Sequence, residues 1–116
     1  MKRGDLYWAE LKPRSGSEQQ GRRPVVIVSS DGFNEVPGWR SIIVIPVTTS
    51  SHQARRGPTA VPLSATVSGL SRNSIAVCHQ ITTLDRSKID TRIGALSRAE
   101  IEGIDEGILA ACDLVC

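Results

Sequence analysis

Arg22, Arg23 and Pro24 stand at the head of an apolar run, Val25, Val26, Ile27 and Val28. A proline holds the residue before it in extended backbone, so Arg23 projects from a fixed stem. A guanidinium held this way suits a phosphate, which it can grip through two parallel hydrogen bonds. Ser17, Glu18 and Gln19, in the polar stretch GSEQQGRRP just upstream, can face the same groove. A second polar group, Thr48, Thr49, Ser50 and Ser51, ends the run IIVIPVTTSS with hydroxyls able to donate to phosphate oxygens. Those hydroxyls equally suit the backbone of a turn, and spacing alone does not separate the two uses. His79 is read either as an acid or base beside a substrate, the role histidine suits near neutral pH, or as an ordinary strand histidine.

Other chemistries have no support. His52 and His79 are far apart, and no cysteine pair or carboxylate cluster has ligand spacing, so neither a metal nor a cofactor is expected. No glycine-rich stretch leads into Lys-Ser or Lys-Thr, which removes a Walker loop, and no GxSxG elbow occurs. The net charge of +2 is a weak argument for a polyanionic partner. Its distribution says more: Arg22, Arg23, Arg40, Arg55 and Arg56 lie in the first half, and Glu100, Glu102, Asp105, Glu106 and Asp113 crowd the end. That asymmetry fits phosphate binding on one face, and it fits a solvated surface as well. The three cysteines, Cys78, Cys112 and Cys116, are an odd set without CxxC spacing, as expected of free thiols in a reducing cytoplasm. No apolar run follows the basic start, and none approaches the roughly 20 residues of a membrane span, so neither a signal peptide nor a membrane is expected.

The elements that must position these side chains are short. The length of 116 residues fits one domain, 1–116, and scarce aromatics leave Val, Ile and Leu to build a mainly β core. Strands are predicted at LYWAEL (6–11), PVVIVSS (24–30), SIIVIPVTTS (41–50), TAVPL (59–63), IAVCHQITTL (75–84) and TRIGAL (91–96). The loop KPRSGSEQQGRR between the first two is longer than most hairpin connections, which marks it as a functional candidate. Asp31 is placed to cap a short helical turn, and Pro46 predicts an edge position or a bulge in its strand. SATVSGLSRNS and DRSKID are read as turns. Ser97 and Glu100 form a capping box ahead of Ile101, Ile104, Ile108 and Cys112, which recur at helical spacing. Many short strands with one terminal helix predict a small, strongly bent barrel, α+β and mainly β.

RGDLYWAEL, GSEQQGRRPVVIVSSDGFN, IPVTTS, HQITTLDRSKI and IGALS follow one another in an order that resembles the MazF/PemK family of toxin endoribonucleases. The resemblance runs from Arg3 to the final helix, and Gln80, Thr83 and Asp85 support it independently of the GSEQ stretch. It implies an SH3-like barrel of the CcdB/PemK type, acting as a homodimer in the cytoplasm. It further implies metal-independent cleavage of single-stranded RNA at short sequences, leaving a 2′,3′-cyclic phosphate and a 5′-hydroxyl. A cognate, MazE-like antitoxin is the implied partner, in a complex that binds DNA. By position, Arg23 and Thr48 match the family's catalytic arginine and threonine. Ser17, Glu18 and Gln19 match the loop beside the scissile phosphate, and Gln80 a base-contacting position, with Thr49, Ser50 and His79 as neighbouring RNA-binding candidates. Glu18, Arg23 and His79 all remain open as proton carriers. His79 and Thr82 depart from the acidic and basic residues common in relatives. The alternatives are a toxin of the same fold that binds DNA gyrase without cutting RNA, and a degenerate member that only binds antitoxin.

Overall fold

A computed structural model describes residues 1–11, 16, 21–49 and 57–114. The centre of its sheet is β2 (Arg22–Ile27), flanked by β1 (Asp5–Glu10) and β3 (Ser41–Thr48), all antiparallel. β2 begins two residues earlier than the sequence predicts, so Arg22 and Arg23 belong to the strand rather than to the loop before it. The unbroken apolar run follows from burial on both faces. Val26 and Ile45 join one core cluster with Leu6, Val61, Leu96 and Ile104, while Val25, Ile27, Ile42 and Val44 join a second with Leu11 and Ile89.

The predicted strand 75–84 is two strands. β5 (Ser74–Val77) and β6 (Thr82–Asp85) are separated by a 3-10 turn, Cys78–Gln80, and each pairs with a different part of β3. β6 pairs with Ser41, Ile42, Ile43 and Val44, and β5 pairs with Val47 and Thr48. Pro46 therefore sits in an interior strand, neither at an edge nor in a bulge. It lies where the outer partner changes, so its missing N–H leaves no ladder bond unmade on that side.

β4 (Ala60–Leu63) pairs with β5, and β7 (Ile89–Ala95) pairs with β1, giving the order β4-β5-β3-β2-β1-β7 with β6 on β3. The sheet is not closed: among the described residues β4 and β7 do not pair, so the mainly β, strongly bent fold expected from the sequence is an open one. Helices stand at the two outer strands instead. α3 (Arg98–Ala111) packs on β4 and on the Cys78–Gln80 turn, and α2 (Ala65–Ser68) meets β7. α2 lies inside a stretch read from sequence as a plain turn.

α3 starts as predicted. The Ser97 hydroxyl accepts from the Glu100 amide at 3.2 Å, and the Glu100 carboxylate accepts from the Ser97 amide at 3.0 Å. Ile104 is buried among the β4 and β5 residues, and Cys78 lies beneath Gly107. Burial pushes the Cys78 thiol up to about 11, so it stays protonated and inert at neutral pH. α1 (Asp31–Asn34) is capped by Ser30 rather than by Asp31: the Ser30 hydroxyl accepts from the Gly32 amide at 3.1 Å. Asp31 instead accepts from the Arg3 amide at 2.6 Å, which ties the N-terminus to α1.

Asp85, read as part of a family signature, is a structural joint. Its carboxylate accepts from Arg40 and from the Ser87 amide, both at 2.9 Å. The Arg40 bond, followed by Ser87, holds that carboxyl well below the usual range. Arg86 then donates to the Trp39 and Asn34 carbonyls at 2.8 and 2.9 Å, fastening the segment between α1 and β3.

Candidate functional site

The ends of the strands form the rim of an open cleft of about 520 Å³. It is lined by Trp8 of β1, by Arg22, Arg23 and Pro24 of β2, and by Val47, Thr48 and Thr49 at the end of β3. Gly69, Leu70, Ser71, Arg72 and Ser74 line it as well, with Ile93 of β7. The turn after α2 thus bridges the two arms of the sheet, β5 and β7, which no ladder joins.

Backbone contact makes that bridge. Gly69 has φ of +88°, and a Cβ there would lie 2.8 Å from the Ile93 carbonyl oxygen. A Cβ on Gly94 would lie 2.2 Å from the Ser68 carbonyl oxygen. Only glycine fits both positions, because one needs the left-handed conformation and the other leaves no room for a side chain. The turn is braced further by the Ser68 hydroxyl, which donates to the Ser64 carbonyl at 2.6 Å, and by the Asn73 side chain, which accepts from the Ala65 amide at 2.9 Å.

Arg23 and Thr48 come together through the β2–β3 register. Val25 opposite Pro46 is the last pair of that ladder, and Arg23 and Thr48 each stand two residues beyond it and line the cleft. Thr48 is buried and paired with Ile75 of β5, so its hydroxyl is carried by a fixed strand, whereas Arg23 is exposed at the strand head. Arg22 is held differently. Its guanidinium donates to Asp90 of β7 at 2.7 Å and lies 4.8 Å from the centre of the Trp8 ring. Desolvation opposes the charge of Asp90, but hydrogen bonds from Thr91 and Arg22 outweigh it and keep the carboxyl low.

Three arginines and several hydroxyls therefore line the cleft, and among the described residues no carboxylate does. Such a surface attracts anions, and the planar guanidinium suits phosphate in particular. Of the sequence candidates, Arg23, Thr48 and Thr49 meet here. His79 and Gln80 do not line the cleft. They lie on the turn between β5 and β6, where the His79 Nδ1 is 3.2 Å from the Thr59 hydroxyl. Ser17, Glu18, Gln19 and Ser50 lie outside the described residues. Sequence reasoning missed Trp8, Ser71, Arg72 and Ser74 as lining residues. The glycines of SGLS and RIGA were the available signal, since they permit the contact that brings the turn to the rim.

Comparison with known proteins agrees with this fold. The family model for the PemK-like, MazF-like toxin of type II toxin–antitoxin systems matches residues 2–111. Endoribonuclease EndoA of Bacillus subtilis strain 168 is 31% identical over 115 residues, covering 99% of this chain and 97% of its own. The solved structure of the Mycobacterium tuberculosis toxin MazF-mt6 superposes with a TM-score of 0.79 at 26% identity, covering 97% of this chain and 99% of that one. A mycobacterial endoribonuclease, solved in complex with its cognate antitoxin, shares the fold with a TM-score of 0.79 at 22% identity, covering 100% and 98%.

Proposed function

The chain belongs to the family of PemK-like, MazF-like toxins of type II toxin–antitoxin systems, and from that premise we propose that it is an endoribonuclease that cuts single-stranded RNA without a metal. The observation that carries the reading is the convergence of Arg23 and Thr48 on a cationic cleft. In this scheme the substrate supplies its own nucleophile. The 2′-oxygen bonds to the adjacent phosphorus as the bond from phosphorus to the 5′-oxygen breaks, leaving a 2′,3′-cyclic phosphate and a 5′-hydroxyl. One proton leaves the 2′-hydroxyl and one reaches the departing 5′-oxygen. Negative charge builds on the non-bridging oxygens between these events, and Arg23 with the Thr48 hydroxyl stabilises it from fixed positions. Arginine, which keeps its charge at any physiological pH, is a poor proton donor, and Glu18 and His79 stand as the other candidates for carrying the two protons.

The functional unit in this reading is a homodimer, inhibited by an antitoxin segment that lies in the RNA groove. The relative solved with its cognate antitoxin supports an antitoxin as partner.

Incubating the purified protein with a long single-stranded RNA in EDTA tests the reading. Expected are fragments with 2′,3′-cyclic phosphate and 5′-hydroxyl ends, and no cut where the scissile nucleotide is 2′-deoxy. Efficient cleavage of the deoxy substrate would mean a hydrolytic route. A folded protein that leaves RNA intact would instead be a non-catalytic binder on this fold.

A further inference from the structure

The three arginines of the cleft are not equivalent. Arg22 is committed to Asp90 and to the face of Trp8. Arg23 heads the strand beside Thr48, where the proposed chemistry takes place. Arg72 lines the same cleft from the turn after α2, exposed, and among the described residues its guanidinium has neither an ion pair nor a hydrogen bond. A surface arginine without a partner is ordinarily a solvated charge. What distinguishes this one is its stem. Its own carbonyl accepts from the Ser74 hydroxyl at 2.9 Å, the next residue is pinned through Asn73, and the turn is seated on β7 through Gly69 and Gly94.

A cation carried on a braced turn that lines a cleft without carboxylates among its described lining residues has its main chain preorganised for an anion and loses less freedom on binding. Arg23 and Thr48 already serve one phosphate. The cleft falls within the range of about 300–1,000 Å³ typical of pockets that hold a whole ligand, more than a single phosphate group requires. A strand that sets one phosphodiester at Arg23 must carry its neighbours toward the rim.

We propose that Arg72 is a second phosphate-binding position of the cleft, taking a phosphodiester that flanks the scissile one. The proposal rests on the nuclease reading and adds a residue that positions the strand without acting on the reacting phosphorus. The Ser71 hydroxyl, beside it on the same rim, is a second donor for that phosphate.

The test uses an RNA that is 2′-deoxy at the scissile nucleotide, so that binding is read without cleavage. Arg72→Ala should weaken binding about ten-fold or more, as expected for losing a charge-assisted contact. It should also flatten the plot of log K against log salt by about 0.7, the share of one phosphate on a single strand. Arg72→Lys should keep the slope. With cleavable RNA the loss should fall on KM rather than on kcat. Neutral methylphosphonates placed one at a time then locate the contact. One flanking position should weaken the wild type and have no further effect in Arg72→Ala, whereas the scissile position should weaken both. Unchanged affinity and slope in Arg72→Ala, or full additivity at every flanking position, would overturn the proposal. Wild-type protein that neither binds nor cuts the RNA would instead overturn the nuclease reading itself.

Discussion

Arg23 and Thr48 reach one cleft from the adjacent ends of β2 and β3, and the proposed scheme makes them the two donors to the growing charge. Arg23→Ala and Thr48→Ala should each leave the protein folded and slow RNA cleavage by about a hundred- to a thousand-fold, the usual effect of removing one oxyanion donor. Circular dichroism with single-turnover kinetics would check both. A near-normal rate without Arg23 would remove it from the mechanism. Arg22→Ala should cost less in rate, because its guanidinium is occupied by Asp90 and Trp8. The shared position of these two residues was legible: a proline fixes the stem of Arg23, and a run of hydroxyls closes the next strand. Arg72 was not legible. In SGLSRNS it has the look of any solvated charge, and only contacts made through distant glycines bring it to the rim. His79 lies on a turn that the sequence does not announce, outside the lining of the cleft.

That turn shows where reading by element stops working. Ile75, Ala76 and Val77 share their β character with Thr82, Thr83 and Leu84, so composition joins them into one strand. The break between them is tertiary: α3 lies over Cys78, and β3 changes partners at Pro46. Strands buried on both faces, such as β2, and a helix announced by its capping box were correctly foreseen, because each carries a local signal independent of distant contacts. The α2 turn depends on such contacts and offers a sharp test. Gly94→Ala would drive a methyl group into the Ser68 carbonyl. The expected cost is about 1–3 kcal/mol, typical of overpacking, seen as a lower midpoint in urea. RNA affinity should fall as well, because the turn carrying Arg72 is displaced. Stability equal to wild type would show that the contact is not tight in solution.

For the whole molecule, the proposed assembly carries a two-part expectation. Sedimentation should find a dimer at micromolar concentration, and an acidic antitoxin segment should compete with RNA for the cleft by offering carboxylates in place of phosphates. Added salt should weaken both contacts, since exposed charges are screened beyond about 8–10 Å near physiological ionic strength. A monomer that cuts RNA at full rate, or antitoxin and RNA bound together without mutual interference, would refute this arrangement. The mouth of the cleft has one further consequence. Its span is set where the main chain at Gly69 rests against Ile93 and that at Gly94 against Ser68, not by any side chain that faces the ligand. Exchanging Thr49, Ser71 or Arg72 should therefore change how strongly the mouth binds without changing how wide it opens. Gape and grip are thus separately mutable: the main chain keeps the one while side chains alter the other.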